Sequence, residues 1–142
     1  MIGIDTDFLV ALELADHEQH KAVHRLLARH AKRGETFALC PQVVAEFIHV
    51  VTDRKRFALP MEMSVALRQA EIWSTAVDVK QYLPHENAVE LFFHWMNQHR
   101  LGRKRVLDTM LAATYATEGV TKIATLNEDD FRVFGVFEFV SP

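Results

Sequence analysis

Short apolar runs alternate along this chain with longer segments in which apolar residues recur at helical spacing. The short runs have the length of buried strands, and they cover residues 2–4, 36–40, 77–79, 122–125 and 136–140. The helical pattern covers residues 8–12, 16–32, 41–51, 60–76, 84–99 and 107–118. Because strands alternate with helices, the pattern predicts an α/β fold in which helices cover both faces of a parallel sheet.

Capping and proline residues give the predicted helix starts. Asp16 is followed three residues later by Gln19, which is capping-box spacing and predicts a helix start at Asp16. Pro41 suits the first turn of the next helix, because its missing N–H has no partner there in any case. Pro60 and Pro84 are predicted to begin two further helices in the same way.

The composition is that of an ordinary globular protein. The chain has 142 residues, of which 49% are apolar and 25% are charged, and its formal net charge is −3. This length predicts one domain, residues 1–142, with a sizeable core. The negative charge argues against a protein that coats nucleic acid by bulk charge, but it leaves room for a local basic patch.

The single cysteine and the short apolar runs indicate the compartment. Cys40 has no partner for a disulfide and is predicted to be a small core residue. No apolar run is long enough to span a bilayer, and the N-terminus lacks the pattern of a secretory signal. We therefore expect a cytoplasmic protein without membrane contact.

Acidic residues stand at or near the ends of four apolar runs. Asp5 directly follows the first predicted strand, and the segment 127–130 (Asn-Glu-Asp-Asp) follows the strand that ends at Thr125. In open α/β sheets the carboxyl ends of strands share one crevice where strand order reverses. Glu46 and Asp108 lie in early turns of predicted helices, where carboxylates are favoured. Converging acids would repel one another unless a cation lay between them, and oxygen ligands favour Mg²⁺ or Mn²⁺.

Four motifs in this order resemble those of the PIN-domain ribonucleases, and more narrowly the VapC-type toxins of bacterial toxin–antitoxin pairs. They are Ile4-Asp5-Thr6, Val43-Val44-Ala45-Glu46-Phe47, Leu107-Asp108-Thr109 with the helix after it, and Thr125-Leu126-Asn127 with Asp130-Phe131. The resemblance runs from residue 2 to about residue 131. It implies a three-layer α/β/α sandwich, a homodimer, metal-dependent cleavage of RNA, and a cognate antitoxin that blocks the site.

The resemblance also implies roles for individual residues. Asp5, Glu46 and Asp108 match the first three acids of the family, and Asp5 and Asp108 are expected to bind the metal directly. Glu46 is expected to bind it through water or to accept a proton from the nucleophile. Asn127 stands at the fourth acidic position, so an acid from the same segment, Asp130 or else Asp129, is expected to replace it.

Three neighbouring residues are expected to support these acids. Thr6 and Thr109 each follow an acid, and their hydroxyls are predicted to contact the carboxylates or the scissile phosphate. Asp7 is either a supporting residue of the metal site or simply an acid in the first turn of a helix.

Two basic runs and a histidine cluster are open to two interpretations each. The first run (Arg100, Arg103, Lys104, Arg105) lies just ahead of Asp108 and is either an RNA phosphate clamp or a solvated loop. The second run, Arg54 to Arg56, has the same ambiguity. The histidines at 17, 20 and 24 lack metal-ligand spacing and are predicted to form a solvated helix face.

Three other functions compete with an RNA-cleaving toxin. Asp5-Thr6-Asp7 superficially matches the Asp-x-Asp of haloacid-dehalogenase-type phosphatases, although the later motifs of that family are missing. The amide at Asn127 could instead mark a catalytically weakened module that binds RNA or a partner. Within the nuclease class, an RNA-processing enzyme that is not a toxin would carry the same acids.

Overall fold

A five-stranded parallel sheet forms the centre of the structure. The computed structural model describes residues 1–142. The strands are β1 (Ile2–Ile4), β2 (Phe37–Leu39), β3 (Val79–Gln81), β4 (Lys122–Ala124) and β5 (Glu138–Val140). They lie in the order β3-β2-β1-β4-β5, and all four neighbouring pairs are parallel. The predicted parallel sheet is confirmed.

Seven helices cover the two faces of this sheet. They are α1 (Thr6–Glu13), α2 (His20–Lys32), α3 (Pro41–Val51), α4 (Met63–Thr75), α5 (Glu86–Gln98), α6 (Val106–Thr117) and α7 (Asp129–Arg132). The chain steps from β1 to β2 to β3 in one direction and then crosses back to β4. Because such crossovers are right-handed, α1–α4 lie on one face and α5 and α6 on the other. Helix contacts agree, since α1 packs on α2 and α3 while α5 packs on α6. The three-layer sandwich is confirmed.

The core lies on both faces of the central strand β1 and of its neighbour β2. Every residue of β1 and β2 is buried, which explains why these strands read as continuous apolar runs rather than alternating ones. One cluster of 31 buried residues joins the strands to the helices, and it includes Cys40, as predicted. None of the helices is long and apolar enough to cross a membrane.

A buried tyrosine on α6 ties the ends of β1 and β2 together. The Tyr115 hydroxyl lies 2.8 Å from the Ile4 carbonyl oxygen and 3.1 Å from that of Ala38, and it donates to them. The ring lies directly on Gly3, where an added Cβ would come within 2.7 Å of two ring carbons. A glycine at position 3 is therefore what allows α6 to approach the sheet so closely at the point where Asp5 leaves it.

The predicted helix starts at Asp16, Pro60 and Pro84 are wrong, while the one at Pro41 is confirmed. Helix α2 begins at His20, because Leu14 to His20 form successive turns in which the His17 imidazole, not Asp16, accepts the Gln19 N–H at 3.1 Å. After the other two prolines the backbone stays extended until the residue before each helix, so α4 and α5 begin at Met63 and Glu86.

The third strand also lies further along the chain than the apolar run 77–79 predicts. Strand β3 begins at Val79, which pairs with Phe37 of β2. Val77 is fully exposed and lies outside the sheet. Pairing with a buried neighbour, which local hydrophobicity does not report, decides where this edge strand begins.

We expect an ion-pair bracket formed by His30, Glu35 and Lys122 to stabilise the fold except in acid. The Glu35 carboxylate accepts hydrogen bonds from Lys122 Nζ at 2.8 Å and from His30 Nδ1. These hydrogen bonds, that of Lys122 first, lower the pKa of Glu35 from 4.5 to about 2. Because the pKa is lower in the folded state, this stabilisation is complete above pH 4.5 and is lost as the pH falls towards 2.

Replacing Glu35 by glutamine tests this bracket. Solvent reaches all three groups, so the Glu35→Gln variant should lose about 1 kcal/mol of unfolding free energy near neutral pH. Thermal unfolding at a series of pH values should show the difference from wild type shrinking as the solution becomes acidic. Glu71→Gln, on the exposed side of α4, should behave as wild type throughout.

Candidate active site

The carboxyl ends of β1 and β4 form one wall of a cleft at the point where strand order reverses. The chain leaves β1 towards β2 on one side, while β4 lies on the other side of β1. The Asp5 N–H donates to the Ala124 carbonyl at 3.0 Å and holds the two strand ends together. The cleft has a volume of about 420 Å³, and most of the predicted site residues line it, namely Asp5, Thr6, Asp7, Glu46, Asp108, Asn127 and Asp130.

Asp5 is the most buried of these acids. Its carboxylate accepts the Thr6 N–H at 2.7 Å, which caps α1, and the Thr125 hydroxyl at 2.8 Å. Burial, followed by the charge of Asp7, raises the pKa of Asp5 well above its ordinary value, although the two hydrogen bonds oppose the shift. Thr125 therefore holds a carboxylate whose ionised form is disfavoured in the absence of a cation.

Asp7 anchors the loop between β4 and α7. Its carboxylate accepts the Leu126 N–H at 3.1 Å and lies 3.4 Å from the Thr125 hydroxyl. Burial raises the pKa of Asp7, and the Leu126 N–H opposes the shift. Of the two roles considered for Asp7, this geometry favours that of a residue supporting the site.

Glu46 reaches the cleft from the second turn of α3. The Thr6 hydroxyl on α1 donates to Glu46 Oε2 at 3.0 Å, which is the carboxylate contact predicted for Thr6. Helices α1 and α3 pack against each other, so this hydrogen bond fixes the carboxylate between two rigid elements. The other oxygen of Glu46 has no hydrogen-bond partner in the protein.

Asp108 lies in the first turn of α6 and faces the other acids. Burial, followed by the charge of Asp130, raises the pKa of Asp108 to about 6, and Glu46 and Asp7 add to the shift. The Arg105 guanidinium lowers it, but not enough to compensate. The carboxylate accepts no hydrogen bond from the protein, so it is free to turn towards a bound cation.

Asn127 and Asp130 form one unit at the fourth acidic position. The Asn127 side-chain amide donates to the Asp130 carboxylate, and both residues line the cleft. The Arg105 guanidinium lies beside Asp130, with Nε 3.7 Å from Oδ1, and also donates to its carbonyl oxygen. Asp129 does not line the cleft; its side chain is exposed and lies 3.5 Å from Arg132.

The contact predicted for Thr109 is wrong in this structure, and Arg105 has a partner within the protein. The Thr109 hydroxyl donates to the Arg105 carbonyl at 2.6 Å and is fully buried, so it contacts neither a carboxylate nor the cleft. Arg105 faces Asp130, and its contact with RNA stays a prediction. The rest of that basic run is exposed outside the cleft, and its contact with RNA stays a prediction; it comprises Arg100, Arg103 and Lys104.

Comparison with known proteins identifies the family. Residues 2–136 match the PIN domain. The chain belongs to the PIN-domain family. The resemblance drawn from the four acidic motifs is confirmed, and the haloacid-dehalogenase interpretation of Asp5 and Asp7 does not apply.

The relatives of this PIN domain are named as ribonucleases. Ribonuclease VapC24 of Mycobacterium tuberculosis (strain CDC 1551 / Oshkosh) is 29% identical over 137 residues, which cover 95% of this chain and 92% of that protein. The structure of M. tuberculosis VapC20, a toxin that cleaves the sarcin-ricin loop, shares the fold with a TM-score of 0.72 at 18% identity, covering 93% of this chain and 94% of that one. VapBC-1 from nontypeable Haemophilus influenzae gives a TM-score of 0.70 at 16% identity, covering 98% and 96%.

Loop residues outside the predicted metal site also line the cleft of this PIN domain. They are His17 between α1 and α2, and Arg56 and Phe57 between α3 and α4. The predicted solvated histidine face is only partly correct: His24 is exposed, but His20 Nδ1 and His24 Nε2 bond carbonyl oxygens at the end of α1, at 2.9 and 2.8 Å. In the sequence, Arg56 belongs to the second basic run and His17 to the histidine cluster, whereas Phe57 belongs to neither.

The side chains of the cleft suit a divalent cation in chemistry and in charge. PIN-domain ribonucleases are generally dependent on divalent metal. The acids offer only oxygen donors, and burial and mutual repulsion raise the pKa values of Asp5, Asp7 and Asp108. No three His, Cys, Asp or Glu side chains already enclose a metal position, so the carboxylates must rotate to ligate one. Asp108 and Glu46 each have oxygens free to do so.

Proposed function

We propose that this chain is a divalent-metal-dependent endoribonuclease and the toxin of a toxin–antitoxin pair. The observation that carries the proposal is the meeting of Asp5, Glu46, Asp108 and Asp130 in one cleft of a PIN domain. The ribonuclease names of its relatives support the RNA-cleaving activity, and its structural neighbours support the toxin role. Since its substrate is RNA, we place the activity in the cytoplasm.

The surroundings of the acids support the roles that the family resemblance implies. Asp5 and Asp108 would hold Mg²⁺ or Mn²⁺, with Asp130 completing the site in place of Asn127. A cation held there would supply positive charge to the scissile phosphate and would make a nearby water more acidic. Glu46, held by the Thr6 hydroxyl, accepts the proton of the attacking water. The Asn127 amide and Arg105 hold Asp130 in place.

Two protein partners belong to this proposal. Structural neighbours include VapBC antitoxin–toxin complexes, which supports a cognate antitoxin that blocks the cleft. Dimers are general in the family. Large apolar side chains exposed on α5 and at the start of α6 would supply a homodimer surface; they include Phe93 at 60% exposure and Leu107 at 54%.

Cleavage of labelled single-stranded RNA by the purified chain tests the proposed activity. We expect cleavage with Mg²⁺ or Mn²⁺ and none after chelation. Divalent binding without cleavage would favour an RNA-binding or partner-binding module, and absence of both would overturn the proposal. Growth arrest on expression, relieved by a short neighbouring gene, would separate a toxin from an RNA-processing enzyme.

Thr125→Val should weaken the metal site without removing any ligand. The Thr125 hydroxyl donates to Asp5 and accepts the Asn127 N–H at 3.0 Å, so valine frees both the carboxylate and the loop. Loss of a residue that orients a ligand typically costs about 10- to 100-fold in metal affinity or activity. Calorimetric titration with Mn²⁺ measures this loss. Thr121→Val, exposed just before β4, should bind Mn²⁺ as wild type does.

A further inference from the structure

A second cavity lies beside the acidic cleft and shares a wall with it. It has a volume of about 400 Å³ and lies between the α1–α2 loop and the segment that joins α3 to α4. Its large apolar lining residues are Leu14, Val51, Phe57, Leu59 and Met61. His17 and Phe57 line both this cavity and the acidic cleft. The two cavities are therefore neighbouring parts of one surface depression.

We propose that this second cavity holds an unstacked nucleobase of the RNA whose scissile phosphate lies in the acidic cleft. The proposal rests on the proposed ribonuclease function and adds a base-binding subsite to it. A phosphate and the base of a flanking nucleotide are covalent neighbours. An RNA bound in the cleft therefore brings a base to the wall that His17 and Phe57 form.

The side chains that line the cavity suit a nucleobase. Proteins bind splayed-out bases by stacking them on aromatic rings and by hydrogen bonds to their polar edges. Phe57 supplies the ring. Leu59 is 93% exposed, so burial in the fold does not account for this apolar side chain, whereas a base would cover it. The volume is ample for one base and leaves room for water at its edge.

The two parts of the depression offer different polar groups to an RNA. Asp16 and Glu18 stand at the rim of the second cavity, and both are exposed. Carboxylates accept hydrogen bonds from the amino groups of bases. Arg56 lines the acidic cleft and not the second cavity. This arrangement favours guanine, adenine or cytosine, which carry amino groups, over uracil.

His17 is held in a defined orientation between the two sides. Its Nδ1 accepts the Gln19 N–H at 3.1 Å, so in the neutral ring Nε2 carries the hydrogen and acts as a donor. The ring is thereby a fixed donor at the junction, where the sugar or phosphate that joins the two sites must pass. We assign it as a positioning residue for the RNA.

The other apolar groove of the protein has no such connection. It is lined by Leu27, Ile72 and Trp73 among others, and shares no residue with the acidic cleft. An RNA phosphate in the cleft does not bring a base to that groove by direct continuity. It therefore supplies a matched control for apolar exposure alone.

The subsite is tested by removing single bases from the RNA and the Phe57 ring from the protein. Short RNAs of one sequence, each with a single abasic position near the cleavage site, are cut by wild type and by Phe57→Leu with Mn²⁺ present. We expect one abasic position to raise the KM of wild type by roughly 5- to 100-fold, the factor that base–aromatic stacking supplies, with a smaller effect on kcat. With Phe57→Leu, the same abasic position should raise the KM little further, since the stacking partner is already gone.

Other variants keep the test decisive. Leu59→Gln alters an exposed side chain and carries the same comparison if Phe57→Leu does not fold. Ile72→Gln, in the other groove, should keep the wild-type response to every abasic RNA. If abasic positions affect wild type and both cavity variants equally, the proposed subsite is wrong, although the proposed ribonuclease function stands. If Leu59→Gln leaves base preference intact but abolishes antitoxin binding, the cavity is a peptide site. If wild type cleaves no RNA, the proposed function itself fails.

Discussion

The Asp108→Asn variant is expected to lose RNA cleavage and yet to unfold at a higher temperature than wild type when no metal is present. Loss of a residue that merely orients a ligand costs about 10- to 100-fold, so loss of a direct ligand should exceed roughly 100-fold. The gain in stability has a separate cause. The pKa of Asp108 lies near 6 instead of 3.8, mainly through burial and then through the charge of Asp130.

The sign of the stability effect follows from this raised pKa. Below pH 3.8 the carboxyl is protonated in both the folded and the unfolded state, and it has no effect on stability. As the pH rises to about 6 the unfolded chain ionises first, so ionisation destabilises the fold, and the full penalty persists above that pH. Asparagine removes the charge. Since Asp108 is partly exposed to solvent, we expect a gain of about 1 kcal/mol near neutral pH.

Thermal unfolding with chelator and with Mn²⁺ measures both effects on the same samples. Mn²⁺ should stabilise wild type, because a ligand that binds only the folded state raises the free energy of unfolding, and it should stabilise Asp108→Asn much less. Asp129→Asn is the matched control, since Asp129 lies outside the cleft beside Arg132, and it should change neither cleavage nor the response to metal. Cleavage at the wild-type rate by Asp108→Asn would contradict its assignment as a ligand.

Topology explains which parts of the site could be predicted from the sequence. Asp5 and the segment 127–130 follow strands directly, and the carboxyl ends of neighbouring parallel strands must meet at one edge. Residues alone could therefore bring these two groups together. Glu46 and Asp108 lie on helices from opposite faces of the sheet, and only the family resemblance placed them in the same cleft.

The residues that escaped prediction reach the cleft through loops. The position of His17 depends on the turns between α1 and α2, and that of Phe57 on the chain after α3. Neither turn has a periodic hydrophobic pattern from which its conformation could be predicted. The inward turn of Arg105 likewise depends on a pairing with Asp130, 25 residues away, which local sequence does not encode.

The substitution Gly3→Ala should destabilise the fold far more than its size suggests. The new Cβ would lie 2.7 Å from two carbons of the Tyr115 ring, and that ring is fully buried. The ring cannot slide away easily, because its hydroxyl is hydrogen-bonded to the Ile4 and Ala38 carbonyls. Overpacking of this kind costs about 1–3 kcal/mol, and we expect the upper end of that range in denaturant unfolding. Gly102→Ala, where nothing lies within 4 Å, should have little effect.

A double-mutant cycle with Tyr115→Phe separates the clash from the tether. Phenylalanine keeps the ring but loses the hydroxyl, so it should cost about 1–3 kcal/mol by itself, because the buried Ile4 carbonyl loses its hydroxyl partner. Without the tether the ring can shift away from β1, and Gly3→Ala should then cost less in the Tyr115→Phe protein than in wild type. Equal costs in the two backgrounds would show that surrounding side chains, not the hydroxyl, hold the ring. Because this tether ends at Ile4, directly before Asp5, Gly3→Ala should also lower RNA cleavage in the fraction of protein that stays folded.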